Sequence, residues 1–196
     1  MIPTIVLVHH SYTPFDEEPQ RIQSWSNLPL NEHGVEVAKA TAEKLRHLPI
    51  SHVVASPMHR AKETGEIIAD AIKRPLIVSD LIAPWNKKCL IGQTDGMAKK
   101  VIKWFVDNPD VRVPGGEKYR TFFERLSSGW DWLKHYAEAN PENAIVAVTH
   151  SEDFASLDAV ETRTLGDYNK KLVPPYGGYW VIQKVNDKWL ITGKSW

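Results

Sequence analysis

The chain has 196 residues, with 24 Lys and Arg against 24 Asp and Glu, so its formal net charge is zero. A composition of 42% hydrophobic and 24% charged residues excludes a disordered chain, and the neutral balance offers no field to steer it onto nucleic acid or an anionic membrane. A single cysteine, Cys89, excludes an internal disulfide, and no apolar run reaches the roughly 18 residues of a bilayer span.

The start, MIPTIVLVHHSYTP, lacks the basic segment and cleavage site of a secretory signal, so the expected compartment is the cytoplasm. Within it, residues 3–9 (PTIVLVH) form a β-branched run that reads as a buried strand. Residues 31–47 place Val35, Ala38, Ala42 and Leu45 at helical spacing. HVVAS (52–56) reads as a second strand, and Ser56 with Pro57 reads as the cap and first position of a second helix. PLIVSD (75–80) is a third strand, and 81–96 has no period and reads as a long loop. A short helix over 97–107 stops before Asn108-Pro109, VPGGE (113–117) is a turn, and a longer helix covers about 119–139. AIVAVTH (144–150) is the fourth strand, with a helix from Ser151. The tail alternates around Asn186-Asp187 and predicts a hairpin over 176–196. The expected unit is one domain over 1–196, with 81–118 as an insertion that carries a substrate loop.

Strands alternating with helices predict an α/β sandwich with a mostly parallel central sheet, whose ligand site lies beyond the carboxyl ends of the strands. That rule selects His9-His10, the segment Ser56–Arg60 and Thr149-His150. Two imidazoles and a guanidinium at one sheet edge suit a phosphate monoester. Arg60 clamps phosphoryl oxygens, one imidazole attacks phosphorus, the other stabilises the transferring group, and a carboxyl group handles the leaving-group proton.

The segments VLVHHS, RIQSWSNLPLNEHG, ASPMHRAKETGEII, PGGEKYRTFFER and VAVTHS, in that order, resemble the histidine phosphatase superfamily, also called phosphoglycerate-mutase-like. The resemblance implies a three-layer sandwich and a phosphohistidine intermediate at His10. It also implies a phosphate arginine at Arg60, a second histidine at His150, and no metal or other cofactor. Arg21 opens a segment that lines the mouth in relatives. Ser24 stands where the family often has glycine, and His9 where it has its first arginine. Ser11 replaces a glycine, and Ser151 replaces the glycine or aspartate after the second histidine. The family's acid after the third strand has no counterpart at Leu81-Ile82-Ala83, which leaves Asp80, Asp95, Glu152 and Asp153 as replacements, with Asp95 and Glu152 ranked first.

His9 neighbours His10 in the strand and is expected on the opposite face, where it serves either the pocket or packing. Trp25, Glu117 and Ser151 join His9, Arg21 and Ser24 as substrate-binding candidates. Seven of the eight tryptophans divide by position. Trp104, Trp130 and Trp132 are expected in the core, Trp25 and Trp85 as a pocket floor, and Trp180 and Trp189 over the far edge of the sheet. His33, His47, His52, His59 and His135 read as surface or packing residues, and Cys89 as an inert thiol. The expected function is metal-independent hydrolysis of a small phosphorylated substrate, with no nucleic-acid polymer and no membrane as partner. Alternatives are a catalytically impaired relative that binds a phosphorylated ligand, and an enzyme that transfers the phosphoryl group as a mutase does. A homodimer is compatible with the sequence.

Overall fold

The β-branched segment TIVLVH folds as β1 (Thr4–His9), the innermost part of a computed structural model that describes residues 2–162, 164–165 and 173–195. Further strands are β2 (Ile50–Ala55), β3 (Leu76–Val78), β4 (Ala144–Thr149), β5 (Tyr179–Val185) and β6 (Lys188–Ser195). They form one sheet in the order β3-β2-β4-β1-β5-β6. The strands from β3 to β1 run parallel, whereas β5 and β6 join antiparallel. The helices are α1 (Glu32–Leu45), α2 (His59–Ile72), α3 (Asp95–Asp107), α4 (Tyr119–Ala139) and α5 (Ser151–Thr162).

Alternation along the strands builds two cores. Val6, Val8, Val146 and Val148 pack with Leu45, Ala61 and Ile68 of α1 and α2. Ile5, Leu7, Ile145 and Ala147 pack with Phe122, Leu126 and Trp130 of α4 and Phe154 of α5. Both faces of the central strands are therefore covered, as their continuous apolar runs require. The sandwich and its sheet agree with the sequence expectation, and no described helix is long and apolar enough to cross a membrane.

Four local expectations are corrected. α2 begins at His59, and Met58 at its cap position makes no side-chain cap bond. Ser56 does not cap it, because its hydroxyl contacts His150 Nε2 at 2.7 Å. The loop over 81–96 contains short 3-10 turns at Asp80–Ile82 and Lys88–Leu90, and α3 starts at Asp95. Trp104 and Trp132 are not core residues, at 51% and 37% exposure; their spacing sets them on the outer faces of amphipathic α3 and α4. Trp85 is no pocket floor: it is 1% exposed and packs against Tyr119 and Phe122.

The tail forms the expected hairpin, turning through Asn186 and Asp187, both at positive φ as a two-residue turn prefers. Its final residue, Trp196, lies outside the described residues. Trp189 stands on the outer strand against Trp130. Trp180 instead lies one strand further in, opposite Leu7 and against Phe154.

Candidate active site

Register brings the site together. His9 pairs with Thr149 across the parallel strands β1 and β4, so the next residue of each chain, His10 and His150, leaves its strand at the same level. The two rings stand 5.1 Å apart between centroids. The chain passes from β1 to β2 across β4, so this is a topological switch point, where a crevice opens beyond the strand ends. Ser56 follows β2 on the other side of β4, and α2 carries Arg60 inward from there.

Arg60 is 1% exposed, and it orients both imidazoles. Its Nε donates to His10 Nε2 at 3.2 Å, and its Nη2 reaches His150 Nδ1 at 3.1 Å and Ser24 O at 2.9 Å. Its Nη1 donates to Ser26 O at 3.2 Å. A guanidinium only donates, so His10 Nε2 and His150 Nδ1 present lone pairs to it. The other nitrogens then carry the protons. His10 Nδ1 donates to Ser11 O at 2.8 Å, and His150 Nε2 to Ser56 Oγ. Burial first, and the nearby Arg60 charge second, hold both histidines well below the usual imidazole range. Burial also lowers Arg60, to about 10, which leaves it charged at neutral pH. Neutral His10 thus keeps its one Nε2 lone pair at the pocket wall, oriented there by the Arg60 Nε–H that it accepts.

His9 follows the α5 side of the sheet, against Phe154, yet its ring lies only 4.8 Å from that of His10. Both line one pocket because it opens where the strand ends. Nδ1 of His9 donates to Pro174 O at 2.9 Å. Burial pushes His9 down to about 4, against the opposing pull of that bond and of Asp16 and Glu152. The ring of Tyr176 covers His9 at 4.6 Å and His10 at 5.4 Å. Its hydroxyl bonds Asp16, and burial together with that carboxylate raises it above its ordinary range. Asp16 also accepts from Thr13 N, Thr13 Oγ1 and Gln23 Nε2.

The pocket holds about 240 Å³. Of the residues expected there, His9, His10, Arg21, Ser24, Arg60, Asp95, His150, Ser151 and Glu152 all line it. Ser24 adopts φ 47°, the left-handed conformation that glycine takes most readily. Its hydroxyl bonds Trp85 O and Lys87 N. Exposed Arg21 donates to Gly92 O at the rim. Trp25 and Glu117 lie outside the lining. Trp25 is 42% exposed and donates to Pro84 O, while Glu117 binds Asn86 N and Arg125 and so ties the 81–118 region together. Asp80 and Asp153 are also outside it. Asp153 sits in an apolar void, where burial, and then Glu152, raise it well above the carboxylate range.

Two lining residues carry no sequence signal. Lys87 is 3% exposed and forms a buried ion pair with Glu152. Tyr176 belongs to PPYGG, which reads only as a turn.

Over 130 residues the chain is 29% identical to the probable phosphoglycerate mutase GpmB of Klebsiella pneumoniae; the match covers 62% of this chain and 59% of the relative. The chain thus matches about three-fifths of the length of such relatives. Its fold matches the native mycobacterial glucosyl-3-phosphoglycerate phosphatase with a TM-score of 0.78 at 18% identity, covering 98% of both chains. It also matches the phosphoserine phosphatase of Entamoeba histolytica, with 3-phosphoglyceric acid bound, with a TM-score of 0.79 at 16% identity, covering 98% of this chain and 96% of that one. The sequence profile of the histidine phosphatase superfamily, branch 1, spans residues 5–157, which include His10, Arg60 and His150, and the chain belongs to that family.

Proposed function

We propose that this protein hydrolyses a small phosphate monoester through a phosphohistidine at His10. The carrying observation is the two-sided restraint on His10: Nδ1–H is committed to Ser11 O, and Nε2 is aimed by Arg60. In the first step the hydrogen bond from Arg60 Nε–H passes from His10 Nε2 to a phosphoryl oxygen, and the freed lone pair forms the N–P bond as the ester P–O bond breaks. Arg60 and His150 stabilise the equatorial oxygens as charge develops on them. Either Asp95 or the Lys87–Glu152 pair, through the proton it shares, gives a proton to the leaving oxygen and then takes one from the attacking water. Lys87 holds Glu152 in the pocket wall. A 240 Å³ pocket suits a substrate of a few carbon atoms beyond the phosphoryl group.

Relatives and structural neighbours support both a hydrolase and a mutase reading. Both readings use the same phosphohistidine, and product analysis with a second acceptor present separates them. A cytoplasmic setting agrees with an exposed, unpaired Cys89.

The test is turnover of p-nitrophenyl phosphate by the wild type and by His10→Ala. Loss of a nucleophile typically costs several orders of magnitude, so activity is expected to fall by roughly 10³-fold or more. Equal turnover by the two proteins would overturn the assignment.

A further inference from the structure

His9 is the buried group in the pocket whose chemistry the catalytic scheme leaves unused. The ring is 4% exposed, its Nδ1–H is fixed on Pro174 O, and its Nε2 meets no hydrogen-bond partner among the described residues. A buried unpartnered nitrogen is costly unless a ligand completes it. In the neutral ring that nitrogen is a lone pair. A phosphoryl dianion presents only lone pairs, so the two cannot bond to each other without a proton between them.

The charges around His9 lead to the same requirement. Facing it are Arg60 from α2, Glu152 from α5, Asp16 from the turn after β1, Tyr176 before β5, His150 just after β4, and His10. Lys87 adds a cation paired with Glu152. Among the described residues the buried cations Arg60 and Lys87 therefore balance the carboxylates Asp16 and Glu152, while burial pushes the third buried carboxyl group, Asp153, towards its neutral form. Arg60 spends four of its five N–H groups on His10, His150, Ser24 and Ser26, which leaves one Nη1–H for the phosphoryl group as it enters. A doubly charged ester would then enter a water-poor site in which the buried cations among the described residues are already paired or largely committed, which is unfavourable in low dielectric.

Building on the phosphomonoesterase reading, we infer that the site binds its phosphoryl group together with one proton, held between His9 Nε2 and a phosphoryl oxygen. The species recognised is the ester monoanion, or equivalently the dianion plus one proton from solvent. His9 thus sets which ionic form of the substrate is taken.

Calorimetric titration with phenylphosphonate tests this, because its C–P bond is not hydrolysed. The titration is run above the second ionisation of the phosphonate, in two buffers of different protonation enthalpy. The wild type is expected to take up close to one proton per molecule bound, and its affinity to fall roughly tenfold per pH unit. His9→Arg supplies a permanent charge and is expected to bind with almost no proton uptake and with affinity nearly flat over that range. His9→Gln covers the case in which the arginine variant does not fold. Its amide cannot titrate, so uptake is expected to fall towards zero. Wild-type binding without proton uptake overturns the inference alone, as does uptake that persists in His9→Gln. Failure of the wild type to bind phenylphosphonate overturns it together with the phosphomonoesterase reading.

Discussion

One guanidinium orients two imidazoles, and that work depends on shape as well as charge. Arg60 aims Nε at His10 and Nη2 at His150, a fork that a lysine ammonium cannot reproduce. Arg60→Lys is therefore expected to lower kcat/KM by about 10²–10³-fold, even though the charge is kept. Steady-state kinetics with p-nitrophenyl phosphate checks this, and a change below threefold would argue against the positioning role. At this scale His10, Arg60 and His150 were legible in the sequence because each directly follows a strand or lies close after one. Lys87 and Tyr176 were not. They reach the pocket from aperiodic segments, and only the assembled fold brings them to the strand ends. Trp25 and Trp85 show the opposite failure: residues in a loop near the site turn their rings away from it, one to solvent and one to the core.

At the level of elements, α1 supports the catalytic loop by backbone approach. Asn31 caps it through Gly34 N, and a Cβ on Gly34 would come within 2.1 Å of Tyr12 O. That carbonyl belongs to the loop that carries Ser11, the partner of His10 Nδ1. Gly34→Ala must push α1 and the loop apart. It is expected to cost about 1–3 kcal/mol of stability, the usual range for overpacking, and to lower kcat along with it. Urea denaturation and kinetics of the same variant check both effects; unchanged values would show that the loop yields freely. Strands β1, β2 and β4 and helices α1, α3 and α4 were legible through apolar runs and helical spacing. The start of α2 was not, because Ser56 has the chemistry of a cap and spends it on His150 instead. The two short turns within 81–96 escaped because three residues establish no period.

At the level of the whole molecule, the burial of neutral histidines makes stability depend on pH. His9 is held at about 4 against an ordinary 6.5, so between those values the unfolded chain carries a proton that the folded chain does not. Stability present above pH 6.5 is therefore lost as the pH falls towards 4, by on the order of 3 kcal/mol for His9 alone. His10 and His150 act in the same direction. Asp153 opposes them, because its raised value lets the folded chain hold the extra proton. With three groups against one, the urea midpoint is expected to fall steeply between pH 7 and pH 5, and a constant midpoint would contradict the assignment of neutral rings. The sandwich was legible as a whole. The position of β5 beside β1, in the middle of the sheet, was not, since a hairpin pattern does not say which strand it joins.

That position gives the C-terminal stretch a role in biogenesis. Gly178 O accepts from His9 N, Gly177 N donates to His9 O, Pro174 O fixes the His9 ring and Tyr176 covers it. All four lie beyond the span matched by the family profile. During synthesis the ribosome delivers His9 and His10 first and their roof more than 160 residues later, as the sequence separation of 165 between His9 and Pro174 records. Until then β1 keeps one side unpaired, a sticky edge in a nascent chain. A message cut short before residue 173 would therefore yield a polypeptide with nearly all the family motifs, an unfinished nucleophile and a strong tendency to aggregate.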